Sequence, residues 1–192
     1  MIRLEFLEEK DFEKIVEWNK ESSSDDLLIW AGPWYKHPLT VEQIKEYFSF
    51  DTNKKDSDKF IYKIILNETN KMIGTIELGK IDNKNRSGRV GKFFICNEGV
   101  RGKGIGKVAL KEVLKIGFDE LRLHRISLGV FDFNESAIRC YEAVGFKKEG
   151  LLREVRKSEN GYWDLYEMSI LEDEWAKLGE KEIFKDSNYN PN

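Results

Sequence analysis

The most constraining feature of the sequence is a change of periodicity around one glycine-rich loop. Residues 87–96 read as a strand, Arg101-Gly-Lys-Gly-Ile-Gly106 follows, and Val108, Leu110, Val113, Leu114, Gly117 and Leu121 recur at helical spacing. Ile126, Leu128 and Val130 then alternate as a second strand over 125–133. Strand, amphipathic helix and strand in that order predict a crossover with the two strands parallel in one sheet. The loop therefore opens the crossover helix, where the first N–H groups lack partners and the helix dipole is positive. Glycines let the backbone turn and leave no side chain to hold a phosphate away, while Arg101 and Lys103 add positive charge at the rim. A diphosphate fits this arrangement.

The flanking sequence fills in the sheet. Residues 2–7 alternate apolar and polar, and 9–20 place Phe12, Ile15 and Val16 on one helical face. Residues 22–39, with Trp30, Gly32, Pro33, Trp34, Tyr35 and Pro38, read as a long irregular loop, after which Thr40 caps a helix carrying Val41, Ile44 and Phe48. The runs 59–67, 72–81 and 87–96, joined by short polar turns, predict an antiparallel meander. A short helix over 135–144 ends at Gly145, and strands at 146–156 and 162–171 lead to a helix near 173–183. The expected fold class is α/β (α+β), with a mostly antiparallel sheet of about seven strands flanked by helices. Residues 1–184 are expected to form a single domain and 185–192 a mobile tail.

Composition removes several function classes. A net charge of −3 with no long block of like charges argues against nucleic acid as a partner. No apolar run approaches the roughly 20 residues of a membrane span, and Met1 leads directly into a strand-like segment, so the expected location is cytoplasmic. Cys96 and Cys140 are expected as thiols, and with His37 and His124 they make no metal-ligand spacing, so no metal is expected.

Taken alone, the glycine loop fits more than one chemistry. The Walker pattern fails because Gly99 and Gly104 are followed by Ile105 instead of Lys-Ser/Thr. Gly104, Gly106 and Ala109 satisfy G-x-G-x-x-G/A, but the loop starts several residues after its strand and an antiparallel meander precedes it, which disfavours a dinucleotide site. A plain strand-to-helix turn also needs glycine. The discriminating feature is a second segment one strand later, Asn134-Glu-Ser-Ala-Ile-Arg-Cys-Tyr-Glu-Ala-Val-Gly-Phe146, with Asn134 as helix cap.

Together the two segments resemble the GNAT superfamily of acyl-CoA N-acyltransferases, whose signature is Gln/Arg-x-x-Gly-x-Gly/Ala followed by an Asn and a helix bearing Tyr and Gly-Phe. Arg101, Gly104, Gly106, Asn134, Tyr141, Gly145 and Phe146 match it. The order of elements matches over roughly 2–172, and Gly161-Tyr-Trp-Asp-Leu-Tyr-Glu-Met-Ser-Ile170 looks like the RimJ/RimL branch that acetylates ribosomal-protein N-termini. The resemblance implies acetyl-CoA as co-substrate. Backbone groups of Phe94 and Cys96 on a splayed strand would hold the pantetheine arm, and the amides of Arg101, Gly102, Lys103, Gly104, Ile105 and Gly106 the pyrophosphate. Asn134 would bond the pantetheine or a water near it. Tyr141 would be the general acid toward the coenzyme thiolate, although the same spacing also suits a core tyrosine.

The remaining assignments follow from the chemistry of amine acylation. The attacking amine must be neutral, so a base or water relay is expected. Glu77 is the carboxylate best placed by pattern, with Glu98, Asp132 and Asp164 as competitors and a solvated strand residue as the plain alternative. An acyl-Cys140 route lacks an activating histidine or positive cluster, so direct transfer is expected. His124 reads as a strand-edge polar residue. Trp30, Trp34 and Tyr35 are candidates for an acceptor wall, or equally for a core plug or homodimer interface. The acceptor is expected to be a protein N-terminus or a small amine, alternatively a polyamine, aminoglycoside or amino sugar. A non-catalytic acyl-CoA sensor is the alternative of a different class.

Overall fold

A computed structural model of the chain describes residues 1–49, 51–96 and 103–187, with backbone alone for 180–187. The expected contacts of Arg101 and Gly102, and the candidate Glu98, lie outside the described residues. Chain order is β1 (Ile2–Phe6), α1 (Phe12–Trp18), α2 (Ser24–Ala31), α3 (Val41–Tyr47), β2 (Phe60–Leu66), β3 (Lys71–Asp82) and β4 (Ser87–Ile95). Then follow α4 (Ile105–Lys115), β5 (Arg125–Phe131), α5 (Glu135–Val144), β6 (Lys147–Ser158), β7 (Gly161–Leu171) and α6 (Glu172–Ser187). The expected tail is thus helical as far as Ser187, and 188–192 lie outside the described residues.

The seven strands form one sheet in the order β1-β2-β3-β4-β5-β7-β6. β4 and β5 run parallel across the α4 crossover, and every other neighbouring pair is antiparallel. This is the mixed sheet that the change of periodicity predicts.

Each face of the sheet has its own core. α4 buries Ala109, Leu110, Val113 and Leu114 completely against Ile76, Leu78, Ile126, Leu128, Met168 and Ile170. Burial of such side chains contributes about 1.5–3 kcal/mol each. On the opposite face Phe12, Ile15, Leu27 and Ile44 from α1 to α3 pack on Ile61, Ile65 and Met72.

Residues 22–39 are not the long loop that their aromatic, glycine and proline content suggests. They hold α2, whose first turn is closed by a capping box: Asp26 N–H donates to Ser23 Oγ at 3.1 Å, and Ser23 N–H donates to Asp26 Oδ2 at 2.8 Å. Ser23-x-x-Asp26 is a legible start signal. Gly32 ends the helix with a φ of 69°, and a single 3-10 turn covers Gly32–Trp34.

β3 and β4 approach so closely at Gly74 that a Cβ there would lie 2.1 Å from the carbonyl oxygen of Phe94. Backbone on both sides leaves nothing to rotate away. Gly74→Ala should cost about 3 kcal/mol or more in urea unfolding, against the roughly 1 kcal/mol typical of point changes.

Candidate active site

The site begins where the β4–β5 ladder stops. Three pairs join these strands, Ser87↔Arg125, Gly88↔Ile126 and Arg89↔Ser127. Beyond them β5 stays with β7 as far as Phe131↔Leu165, while β4 stays with β3 as far as Gly74↔Ile95. The Arg89 guanidinium donates to Ser127 Oγ at 3.2 Å and to Glu167 Oε2 on β7 at 3.0 Å, with a second bond to Glu167 Oε1. This fork ties three strands together at the last common rung.

Past that rung opens a cleft of about 920 Å³. Phe93, Phe94, Ile95 and Cys96 line one side, the first turn of α4 and the α5 residues Asn134, Ala137, Cys140 and Tyr141 another, and the α1–α2 segment a third. A β-bulge in β4 orients the first of these walls. Thr75 pairs with Phe94 but Glu77 pairs with Gly91, so β4 carries one extra residue between them. Lys92 lies within it at a φ of 41°. Phe94 turns to meet Trp30 and Trp18, with ring centroids 5.1 and 5.9 Å away, while Phe93 and Ile95 face Gly106.

At the α4 end Gly104 is the N-cap with a φ of 75°, a left-handed conformation that favours glycine. Lys107 and Val108 N–H donate to Gly104 O at 3.0 and 3.3 Å, so the amides of Ile105 and Gly106 precede the first helical bonds. They line the cleft beside Lys107, and exposed Lys103 stands next to them in the chain. A Cβ on Gly106 would make only ordinary contacts at 3.5 Å or more, so this glycine keeps the wall low and is not demanded by packing. The first-turn amides, the nearby cations and the cleft volume fit a diphosphate with a pantetheine arm.

On α5, Asn134 Oδ1 accepts from Ala137 N–H and from the Ser136 hydroxyl, both at 3.2 Å, so the cap expected from sequence is present. Tyr141 is half-buried in the cleft wall with its ring edge-on to Phe146, centroids 6.1 Å apart. Burial, then neighbouring Cys140, pushes its phenol above the ordinary range, so the hydroxyl keeps its proton at neutral pH. Burial likewise raises the Cys140 thiol, with Lys107 opposing, which is the wrong direction for a nucleophile. Cys96 and Cys140 form no disulfide.

Glu77 is placed differently from the solvated strand residue that alternation allows. It is buried, 6% exposed, and both its carboxylate oxygens accept from the Tyr47 hydroxyl, at 2.9 and 2.8 Å. Lys92 Nζ is 3.9 Å from Glu77 Oε2 and 3.5 Å from the Tyr47 ring centroid. Trp34 and Tyr35 complete this cluster, at 5.9 and 5.6 Å from the ammonium. Of the three aromatics expected at an acceptor wall, Trp30 lines the cleft, whereas Trp34 and Tyr35 surround Lys92. Asp132 is exposed and Asp164 Oδ1 accepts from Glu154 N–H at 2.7 Å, so neither lines the cleft. His124 is exposed, with Nδ1 3.4 Å from Glu172 Oε2. Lys92 and Tyr47 are the residues that sequence reasoning missed, because nothing local marks a strand lysine as buried.

Comparison with known proteins identifies the family and the fold. Residues 2–147 match the acetyltransferase (GNAT) domain family. The SPbeta prophage-derived uncharacterized N-acetyltransferase YokL of Bacillus subtilis is 32% identical, over 74% of this chain and 77% of its own. The spermidine N(1)-acetyltransferase of Vibrio cholerae is 29% identical, over 77% and 83% respectively. A crystal structure of spermidine N-acetyltransferase from that organism, in complex with CoA and spermine, superimposes with a TM-score of 0.76 at 26% identity. That superposition covers 91% of this chain and 98% of the other.

The buried lysine makes a pH-dependent contribution to stability. Burial, with Lys59 and Lys80 nearby, lowers Lys92 to about 8 from 10.5, against the pull of Glu77. Between about pH 8 and 10.5 the unfolded chain binds more protons at this group than the folded one, so the ammonium's penalty is relieved as pH rises. Unfolding free energy of the wild type relative to Lys92→Met should therefore increase by up to about 3 kcal/mol from pH 7 to 10, measured in urea.

Proposed function

The chain belongs to the GNAT acetyltransferase family and is an acetyl-CoA-dependent N-acetyltransferase, and from that premise we propose a cationic primary amine of the polyamine kind as its acceptor. The observation that carries this reading is the division of charge around the cleft. The wall from α4 contributes Lys107 and the positive helix start, whereas the wall from α1 to α2 contributes Glu21 and Asp26 beside Trp18 and Trp30. The first suits an anionic donor. The second suits a protonated, partly apolar amine, through charge and aromatic faces. The likeness to a spermidine N-acetyltransferase supports the same choice.

Bound acetyl-CoA supplies the thioester. We assign the Ile105 and Gly106 amides and Lys107 to its diphosphate, and the backbone of Phe94 and Cys96 to its pantetheine arm. At pH 7.4 only about one in 10³ alkylamine molecules is neutral, so deprotonation must accompany attack. Glu77 is held by Tyr47 and is not among the cleft residues, and we therefore assign this proton to water in the cleft. As the amine adds and the carbon–sulfur bond breaks, Tyr141 donates its proton to the departing sulfur. Phe94, Trp18 and Trp30 form an apolar floor that limits water at the thioester. Both thiols and the absence of a disulfide suit a cytoplasmic setting.

A protein N-terminal amine is the second reading, as in the RimJ/RimL branch. It is favoured by the Gly161–Ile170 segment, which forms β7 beside the splayed β5. An α-amine near pKa 7.7–8.0 would need less help from a base.

A panel of spermidine, spermine, aminoglycosides, amino sugars and N-terminal peptides, read by free thiol release from acetyl-CoA, separates the two readings. Polyamine turnover well above peptide turnover is expected, and the reverse order would replace the first reading with the second. Tyr141→Phe should lower kcat by about 10²–10⁴-fold and leave coenzyme A affinity unchanged. Glu21→Gln should raise KM for the polyamine by about two- to fivefold, the effect of one exposed charge, and leave KM for acetyl-CoA alone.

A further inference from the structure

We propose that Lys92 is a positioning residue for acetyl-CoA: its ammonium, lodged between Glu77 and the Tyr47 ring, pins the β-bulge that presents Phe93–Cys96 to the cleft. The inference rests on the assignment of that cleft to acetyl-CoA.

The bulge needs a cause. A φ of 41° at a residue other than glycine is disfavoured, because the Cβ crowds the backbone, and an extra residue interrupts the β3–β4 ladder. Two contacts hold it. Thr75 Oγ1 donates to the Lys92 carbonyl at 3.2 Å, fixing the backbone. The Lys92 side chain is 7% exposed, with Nζ 3.5 Å from the Tyr47 ring centroid and 3.9 Å from Glu77 Oε2.

The alternative register shows why a charge matters here. Side chains alternate along a strand, so a one-residue slip moves each to the other face of the sheet. In β4 Val90 points into the α4 core, and without the bulge Lys92 would follow it toward the fully buried Leu110 and Leu114. An ammonium placed there would lose its hydration with no partner to replace it. Methionine, similar in length, meets no such penalty. The charge at position 92 thus selects the bulged register. That register sends Phe94 to Trp18 and Trp30, and Phe93 and Ile95 to Gly106 at the α4 start. A slip would exchange the two sets and re-aim the strand edge that meets the pantetheine arm.

The experiment measures coenzyme A binding by calorimetry and acetyl-CoA kinetics on full-length wild type, Lys92→Met, Lys92→Arg and Thr75→Val, each checked for cooperative melting. Lys92→Met is expected to bind coenzyme A about tenfold more weakly, equivalent to about 1.4 kcal/mol, and to raise KM for acetyl-CoA in step. Its kcat at saturation should stay within about threefold of wild type, and Lys92→Arg should recover affinity to within about threefold. Thr75→Val, which removes only the bond to the bulge carbonyl, should weaken binding by about threefold. Folded Lys92→Met with wild-type affinity, or Lys92→Arg as weak as Lys92→Met, overturns the proposal. If Lys92→Met does not fold, Glu77→Gln, which removes the charge facing the ammonium, decides: weakened binding supports the pin and unchanged binding overturns it. Wild-type protein without affinity for coenzyme A overturns the cleft assignment itself and the inference with it.

Discussion

The short parallel contact between β4 and β5 is the constraint on which the rest of the structure depends. Three rungs are enough to set the two strands side by side, and the fork from Arg89 to Ser127 and Glu167 reinforces the last of them. Beyond it each strand keeps its outer neighbour and loses its inner one. An open ladder within a sheet is unfavourable unless something supplies the missing hydrogen bonds. A pantetheine arm, with its two amides, is peptide-like and suited to that gap.

The helices follow from the same opening. α4 must cross from β4 to β5, and its start lies at the mouth of the splay, where Ile105 and Gly106 line the cleft. α5 follows β5 directly, so Tyr141 and Cys140 arrive at the cleft from the opposite side of the crossover. α1 and α2 cover the other face and bring Glu21 and Asp26. One break in one ladder thus brings the start of α4, the Tyr141 hydroxyl and an acidic wall around a single cleft.

Reading charge from sequence was least successful on β3 and β4. Glu77 sits between Ile76 and Leu78, and alternation alone would send it to solvent. It is instead buried under Tyr47 with Lys92, outside the cleft lining, so a carboxylate that looked placed for proton transfer has a local partner. The aromatic segment 28–38 divides in the same way, with Trp30 at the cleft and Trp34 and Tyr35 around the lysine. A helix was also hidden there, although Ser23 and Asp26 carry its start signal.

Local pattern was sufficient wherever the physics is local. The alternation of β5, the helical stripe of α4, the Asn134 cap and the glycines at 104 and 106 are each set by neighbours a few residues away, and together they specify a parallel crossover whose helix opens on glycine. The splay, the bulge and the burial of Lys92 were decided only by tertiary structure. A bulge is a difference of one residue between two strands, and neither strand records it alone. Whether a charge is buried depends on what packs over it, here Tyr47 from a helix 45 residues earlier in the chain.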